Sequence, residues 1–316
     1  MKTTKRQELL GVLALLVTAA IWGFAFSAQQ LGMAHLGPCA FNTLRSFIGA
    51  IALAPCIALL DLVTHRKPSL WGEARTPAER RALLAGGALC GLFLGVASIL
   101  QQVGLQYTTS GKAGFLTALY IIIVPLLGWL FLKHRVGWGI WTAVALALLG
   151  MALLCGLSLH AGFATGDLWL LACALGFSFQ ILAIDHFVSK ADPLRLSCLQ
   201  FLTAGLISLP VALLLGETFH ATDILSAAGP LLFCGVLSSG VAYTLQMVGQ
   251  KFVQPVIATL LMSLESVFSA VGGWMVQGQT LSLRELAGCA AILAAVLLAQ
   301  LVPQPPPKPQ PEASHD

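Results

Sequence analysis

LQQVGLQYTTSGKAGFLTALYIIIVPLLGW, Leu100 to Trp129, is restated without a gap as LQMVGQKFVQPVIATLLMSLESVFSAVGGW, Leu245 to Trp274. Leu100-Gln101 and Val103-Gly104 return as Leu245-Gln246 and Val248-Gly249. Ala113, Leu116 and Leu119 return as Ala258, Leu261 and Leu264, and Gly128-Trp129 as Gly273-Trp274. A looser match sets Gly23-Phe24-Ala25-Phe26 against Gly176-Phe177-Ser178-Phe179, and Pro55 against Pro210. The second half of the chain therefore repeats the first. If each copy holds an odd number of membrane spans, the two copies enter the bilayer from opposite sides. Inverted repeats of this kind are the plan of many secondary transporters, which place their substrate site at the repeat interface near the bilayer midplane.

Composition agrees with a membrane chain. Hydrophobic residues make up 57% of it and charged residues only 9%, with a mean hydropathy of +0.86. A soluble domain has roughly 25% charged residues, so this chain lacks the polar groups to cover a water-facing surface. In lipid the requirement is about 20 apolar residues per helix, with every backbone amide paired inside it. Ten such segments are read: 9–31, 38–60, 82–104, 111–132, 137–156, 167–187, 195–215, 226–248, 255–276 and 281–302. The fold predicted is all-α and integral to the membrane, with ten transmembrane helices in two inverted five-helix repeats.

The repeats are placed at 9–156 and 157–302, with a short cytoplasmic N-terminus at 1–8 and a long cytoplasmic loop at 61–81. The Pro-rich tail at 303–316 reads as extended and disordered. Lys2, Lys5 and Arg6 before an apolar run resemble a secretory leader. The Gly-Phe-x-Phe element inside that run belongs to the repeat, so it is taken as a retained first span. With the N-terminus inside, every Lys and Arg falls on the cytoplasmic side except Lys112 and Arg284, which lie outside, and Arg45, which lies within span two. That asymmetry places both termini in the cytoplasm, and the expected location is the plasma membrane, the inner membrane of a bacterium. The net charge of +4 is a property of these loops, not a sign of nucleic-acid binding; membrane lipids are the expected surroundings.

The eight cysteines form no CxxC and no Cys/His cluster, so they read as small apolar filler, and no metal or other cofactor is expected. Gly87, Gly91 and Gly95 make a small-residue stripe on span three, suited to close helix packing or to a dimer face; monomer and homodimer both remain open.

An ionisable group at bilayer depth costs about 2.5 kcal/mol or more and marks a functional-site hypothesis. Glu265, near the middle of span nine, and Arg45, about a third of the way into span two from outside, meet that description. Their plainer readings are a structural hydrogen bond for Glu265 and snorkelling or backbone pairing for Arg45. Burial favours the neutral form of a carboxyl, which suits Glu265 to proton carriage. Gln101 and Gln246 hold equivalent positions in the two repeats. With Gln102, Gln180, Tyr120 and Tyr243 they are candidates for the polar contacts of an apolar ligand pocket, although each alone is adequately explained as interhelical glue. Gln200 belongs to the same polar set.

The chain resembles the drug/metabolite transporter superfamily, specifically its EamA-type branch of ten-helix transporters. The residues that carry the likeness are Trp22-Gly23-Phe24-Ala25-Phe26 and the run Gly114-Phe115-Leu116-Thr117-Ala118-Leu119-Tyr120 to Pro125. Ser263-Leu264-Glu265, Gly273-Trp274 and the closing Gly288-to-Leu301 helix complete it. The chain departs from the family pattern at Glu265-Ser266, where Glu-Pro is common, and at Lys133-His134 and Gly278-Gln279, where Gly-Glu is common. The resemblance thus carries the fold and leaves the coupling mechanism unassigned. It implies a central cavity lined by spans one, three, four, six, eight and nine, adds Trp22 to the candidates, and favours export of a small organic metabolite, amino-acid-like or drug-like. Protons are the candidate coupling ion; no P-loop is present to use ATP. The alternatives are an intramembrane enzyme, for which no HExxH, paired aspartates or mid-span histidine are found, and a non-transporting membrane sensor.

Overall fold

The computed structural model describes residues 4–64, 69, 71–72, 74, 76–108, 110–132, 137–154, 165–277 and 281–301. The tail at 303–316, Cys155, Lys133-His134, Gly278-Gln279, the burial of Gly273 and the side chains of Lys112 and Trp274 lie outside the described residues. Within them the chain is helical throughout. In the first repeat the helices are α1 (Lys5–Met33), α2 (Pro38–Val63), α3 (Pro77–Leu105), α4 (Ser110–Thr117), α5 (Tyr120–Leu132) and α6 (Trp138–Leu154). In the second they are α7 (Thr165–Phe187), α8 (Pro193–Leu214), α9 (Ala221–Ser226), α10 (Ala228–Leu232), a π-helix (Phe233–Ala242), α11 (Tyr243–Gln250), α12 (Pro255–Met262), α13 (Glu265–Gln277) and α14 (Leu283–Leu301). Among the described residues nine stretches are long and apolar enough to cross a bilayer, and α6 is a tenth, shorter apolar helix. Span four is α4 with α5, span eight runs from α10 through the π-helix to α11, and span nine is α12 with α13.

Local chemistry explains where several helices start. Thr4 and Gln7 form a capping box at α1, and Thr76 and Glu79 form another at α3. These side chains satisfy backbone donors that have no partner in the first turn. Asp192 caps α8 through the Arg195 amide at 2.9 Å, and proline opens α2, α3, α8 and α12, where a missing N–H costs nothing.

Packing between the repeats has the symmetry of a two-fold axis. Helix α1 lies against spans eight and nine, and α7 lies against spans three and four. Helices α2 and α8 pair with each other, as do α6 and α14. The close contacts set the register. A Cβ on Gly249 would meet Leu15 and the Gly11 carbonyl, while one on Gly104 would meet Leu170 and the Gly166 carbonyl. Leu15 thus corresponds to Leu170, which aligns Gly23 with Ser178 and not with Gly176, two residues from the register suggested by the Gly-Phe-x-Phe match. Pro55 and Pro210 fit the contact register. Helix contacts are made by faces, so the local sequence likeness was free to slip.

Spans four and nine break at one equivalent point. Helix α4 ends at Thr117 and α5 begins at Tyr120; α12 ends at Met262 and α13 begins at Glu265. Tight i−3 bonds replace the α pattern there, Ile121 N to Ala118 O at 3.0 Å and Ser266 N to Ser263 O at 3.2 Å. In span nine the Ser263 hydroxyl also donates to the Leu260 carbonyl at 2.7 Å, a back-bond that bends helices. A tight turn inside a helix is a common mark of a hinge or functional position.

The glycine stripe is used within the chain. Cβ atoms on Gly87, Gly91 and Gly95 would meet Leu199, Gln200 and Ala204 of α8, so the stripe seats α8 and is not a free dimer face. The connection between spans two and three is shorter than the expected 61–81 loop, because α2 continues to Val63 and α3 starts at Pro77. Asp61 consequently sits within α2, buried, with both oxygens on Arg195 Nη2 at 2.7 and 2.6 Å. The Ser69 carbonyl accepts from the same guanidinium, and Gly72, at φ 56°, passes where a Cβ would strike it. At the other end of the α2/α8 pair, Glu217 accepts from the amides of Cys39 and Ala40 at 3.3 and 2.6 Å.

Candidate functional site

A cavity lies between the repeats. Spans one, three, four, six, eight and nine contribute to its wall, and span two adds Arg45. Much of the lining comes in pairs related by the two-fold: Trp22 and Phe177, Ala25 and Gln180, Phe26 and Ile181, Gln101 and Gln246, Thr117 and Met262, Tyr120 and Glu265. The last pair opens the second half-helix of each broken span. The breaks therefore deliver one residue from each repeat to the centre of the protein, where the Tyr120 hydroxyl donates to Glu265 Oε1 at 3.3 Å.

Eight of the nine site residues proposed from sequence line this cavity: Glu265, Arg45, Gln101, Gln246, Tyr120, Tyr243, Gln180 and Trp22. Gln102 does not. It is fully buried and donates to Gln29 Oε1 at 2.6 Å, because neighbours on a helix face different ways and Gln101 takes the cavity side.

The acidic and the basic residue of the wall are both buried. Glu265 is 4% exposed and Arg45 5%, and among the described residues they form no ion pair with each other. Arg45 does not snorkel, and among the described residues it pairs with side chains and not with backbone. Its Nε donates to Asn42 Oδ1 at 2.9 Å and its Nη1 to Gln29 Oε1 at 3.1 Å. Glu265 does form the interhelical hydrogen bond of its plainer reading, while also facing the cavity. Aromatic rings frame the space: Trp22 and Tyr243 lie 4.6 Å apart between centroids, and Phe201 meets Tyr243 edge-on at 5.1 Å. Gln101 Nε2 reaches Thr117 Oγ1 at 3.5 Å. Among the described residues the Trp22 indole N–H and Gln246 Oε1 are buried without a hydrogen-bond partner. An orphaned donor and acceptor on a cavity wall cost free energy until something polar meets them. The site can thus offer an acid, a base, aromatic faces and unused hydrogen bonds to one small molecule.

Eight wall residues are not among those candidates, and three of them are polar: Gln29, Thr117 and Ser238. Gln29 continues the stripe Trp22, Ala25, Phe26 at helical i, i+3, i+4, i+7 spacing, a signal that was present but masked by its place near the end of span one. Ser238 had no such signal, because the π-helix of span eight sets its facing; the matching stretch of span three is α-helical. π-Helical turns are frequent at functional sites. Among the described residues no group of His, Cys, Asp and Glu has the arrangement of a metal site.

The pattern of the EamA-like transporter family matches residues 9–156 and again 164–301, nearly the whole chain as two successive units. The chain belongs to that family. An uncharacterized transporter of Archaeoglobus fulgidus is 29% identical over 285 residues, covering 89% of this chain and 82% of the relative. An uncharacterized transporter of Bacillus subtilis is 22% identical, over 89% of this chain and 93% of its own. A probable terminal-alkyne amino-acid exporter of Streptantibioticus cattleyicolor is 24% identical over 73% of both. One solved crystal structure superposes with a TM-score of 0.72 at 19% identity, covering 92% of this chain and 96% of its own, a likeness of fold. This EamA-like protein is accordingly a multi-pass membrane transporter, with a small molecule as its substrate and lipid around it.

Proposed function

We propose that this EamA-like transporter is a secondary carrier that exports a small amino-acid-like metabolite through the central cavity by alternating access. The observation that carries this reading is the coexistence of Arg45 and Glu265 on one cavity wall without an ion pair between them. A buried charge needs a partner, and a zwitterion supplies both, its carboxylate to Arg45 and its ammonium to Glu265. The aromatic faces of Trp22 and Tyr243 suit a cation as well. Gln101, Gln246, Gln180 and Tyr120 would complete the polar contacts. Export is supported by the exporter among the relatives, and the cytoplasmic location of both termini by the distribution of basic residues. Protons are the coupling ion of choice because Glu265 can exchange one between an occupied and an empty cavity.

Glu265→Gln tests the assignment, since it keeps the shape of the side chain and cannot ionise. In proteoliposomes the variant is expected to lose pH-driven accumulation. If Glu265 serves coupling alone, substrate exchange survives; if it also holds the ammonium, affinity falls in both modes. Wild-type transport by Glu265→Gln at every pH would make the residue structural and remove proton coupling through it.

A further inference from the structure

Among the described residues two arginines are buried, and they are held in opposite ways. Arg195 is 3% exposed and lies against a carboxylate, Asp61. Among the described residues Arg45 is held only by the neutral oxygens of Gln29 and Asn42. Both amides are locked with those oxygens toward the guanidinium. Gln102 Nε2 donates to Gln29 Oε1, so turning the Gln29 amide over would break two bonds. Asn42 Nδ2 donates to Ser208 Oγ at 2.8 Å, and that hydroxyl is itself committed to the Ala204 carbonyl. Among the described residues Arg45 Nη2 makes no hydrogen bond, and the side chain lines the cavity. The guanidinium is therefore fixed in place with its charge uncompensated.

We propose that Gln29, supported by Asn42, is the specificity-determining residue of the cavity: by presenting a neutral oxygen, it reserves Arg45 for a carboxylate on the transported molecule. The inference rests on the cavity's being the transport site. A carboxylate at position 29 would take the place of the ligand's own. It would accept from both Arg45 and Gln102, as Gln29 does, and since both hydrogen bonds of Gln29 use its oxygen, the exchange preserves the network while cancelling the charge. Charge-assisted bonds are roughly twice as strong as neutral ones, so losing the ligand's bond to Arg45 should cost at least about tenfold in affinity.

The test uses the purified full chain with the common L-amino acids, their carboxamides and their decarboxylated amines as probes. Binding is read from thermal stabilisation and transport from counterflow in proteoliposomes. Wild type should bind its best amino acids at least about tenfold more tightly than the matching carboxamides. Gln29→Glu should erase that preference, with the amines binding as well as or better than the amino acids. Gln29→Leu, which removes the acceptor but adds no charge, should weaken binding while keeping the carboxylate preference. If Gln29→Glu folds poorly, Asn42→Asp places the same charge on the Nε side and should shift preference in the same direction. A Gln29→Glu protein that still prefers carboxylates, or a wild type indifferent to them, overturns the inference and leaves the transport function standing. A wild type that neither binds nor moves any probe overturns the amino-acid reading, and the inference with it.

Discussion

Asp61→Asn should destabilise the protein by about 3 kcal/mol, because it strands a buried guanidinium. Asp61 and Arg195 are 1% and 3% exposed and meet at 2.6 Å. Breaking such a pair from one side typically costs about 3–5 kcal/mol, since the remaining charge keeps its desolvation penalty. The lower end applies here. The Ser69 carbonyl still accepts from Arg195 at 2.9 Å, and Asp192 lies 3.5 Å from its Nη1 at a partly exposed position. Removing both charges together, Asp61→Leu with Arg195→Met, should return the protein to within about 1 kcal/mol of wild type, because well-packed apolar substitutes usually match a buried pair. The α8 cap survives in that double variant, as it uses the backbone amide of residue 195. By the usual scaling for larger domains, the single variant should melt on the order of 5–10 °C lower. Thermal denaturation in detergent, followed by tryptophan fluorescence, would compare wild type with the single and the double variant. An Asp61→Asn protein that melts with wild type, or a double variant no better than the single, would refute the claim that burial of this pair matters more than its attraction.

Three further outcomes are expected. Single cysteines at Arg284 should react with an impermeant reagent in intact cells, and those at Lys190 or Arg80 should not; labelling at 190 would overturn the orientation and the inverted plan together. Gln101→Leu and Gln246→Leu should each fold normally and weaken substrate binding by about tenfold, the worth of one or two lost hydrogen bonds; wild-type affinity in both would make them packing residues. Gly288→Leu should destabilise by about 1–3 kcal/mol or more through overpacking, because a Cβ there already lies 2.6 Å from the Gly150 carbonyl and 2.7 Å from the Leu154 amide. Unchanged melting would mean that α6 and α14 separate without cost.

Much of the site was legible because lipid makes polar residues conspicuous. Glu265 and Arg45 stood out by charge alone, and Gln101 and Gln246 by recurring at equivalent positions. Gln102 was misplaced for lack of a facing: adjacent glutamines look alike in a string and point different ways on a helix. Asp61 and Arg195 escaped notice as a pair because each reads as an ordinary residue at a span end. Only the crossing of α2 and α8 brings them within 2.6 Å.

The sequence by itself determined the class of the protein, its ten spans and their inverted arrangement. Hydropathy, the lipid's demand for internally paired backbone, and duplication are all properties of a linear string. The tertiary structure decided which polar groups share a cavity, where spans four and nine break, and that Arg45 is left without a carboxylate while Arg195 is given one. Those outcomes depend on how each helix is rotated about its axis, and rotation is set by contacts between side chains far apart in the chain, such as Gly249 on Leu15 and Gly104 on Leu170.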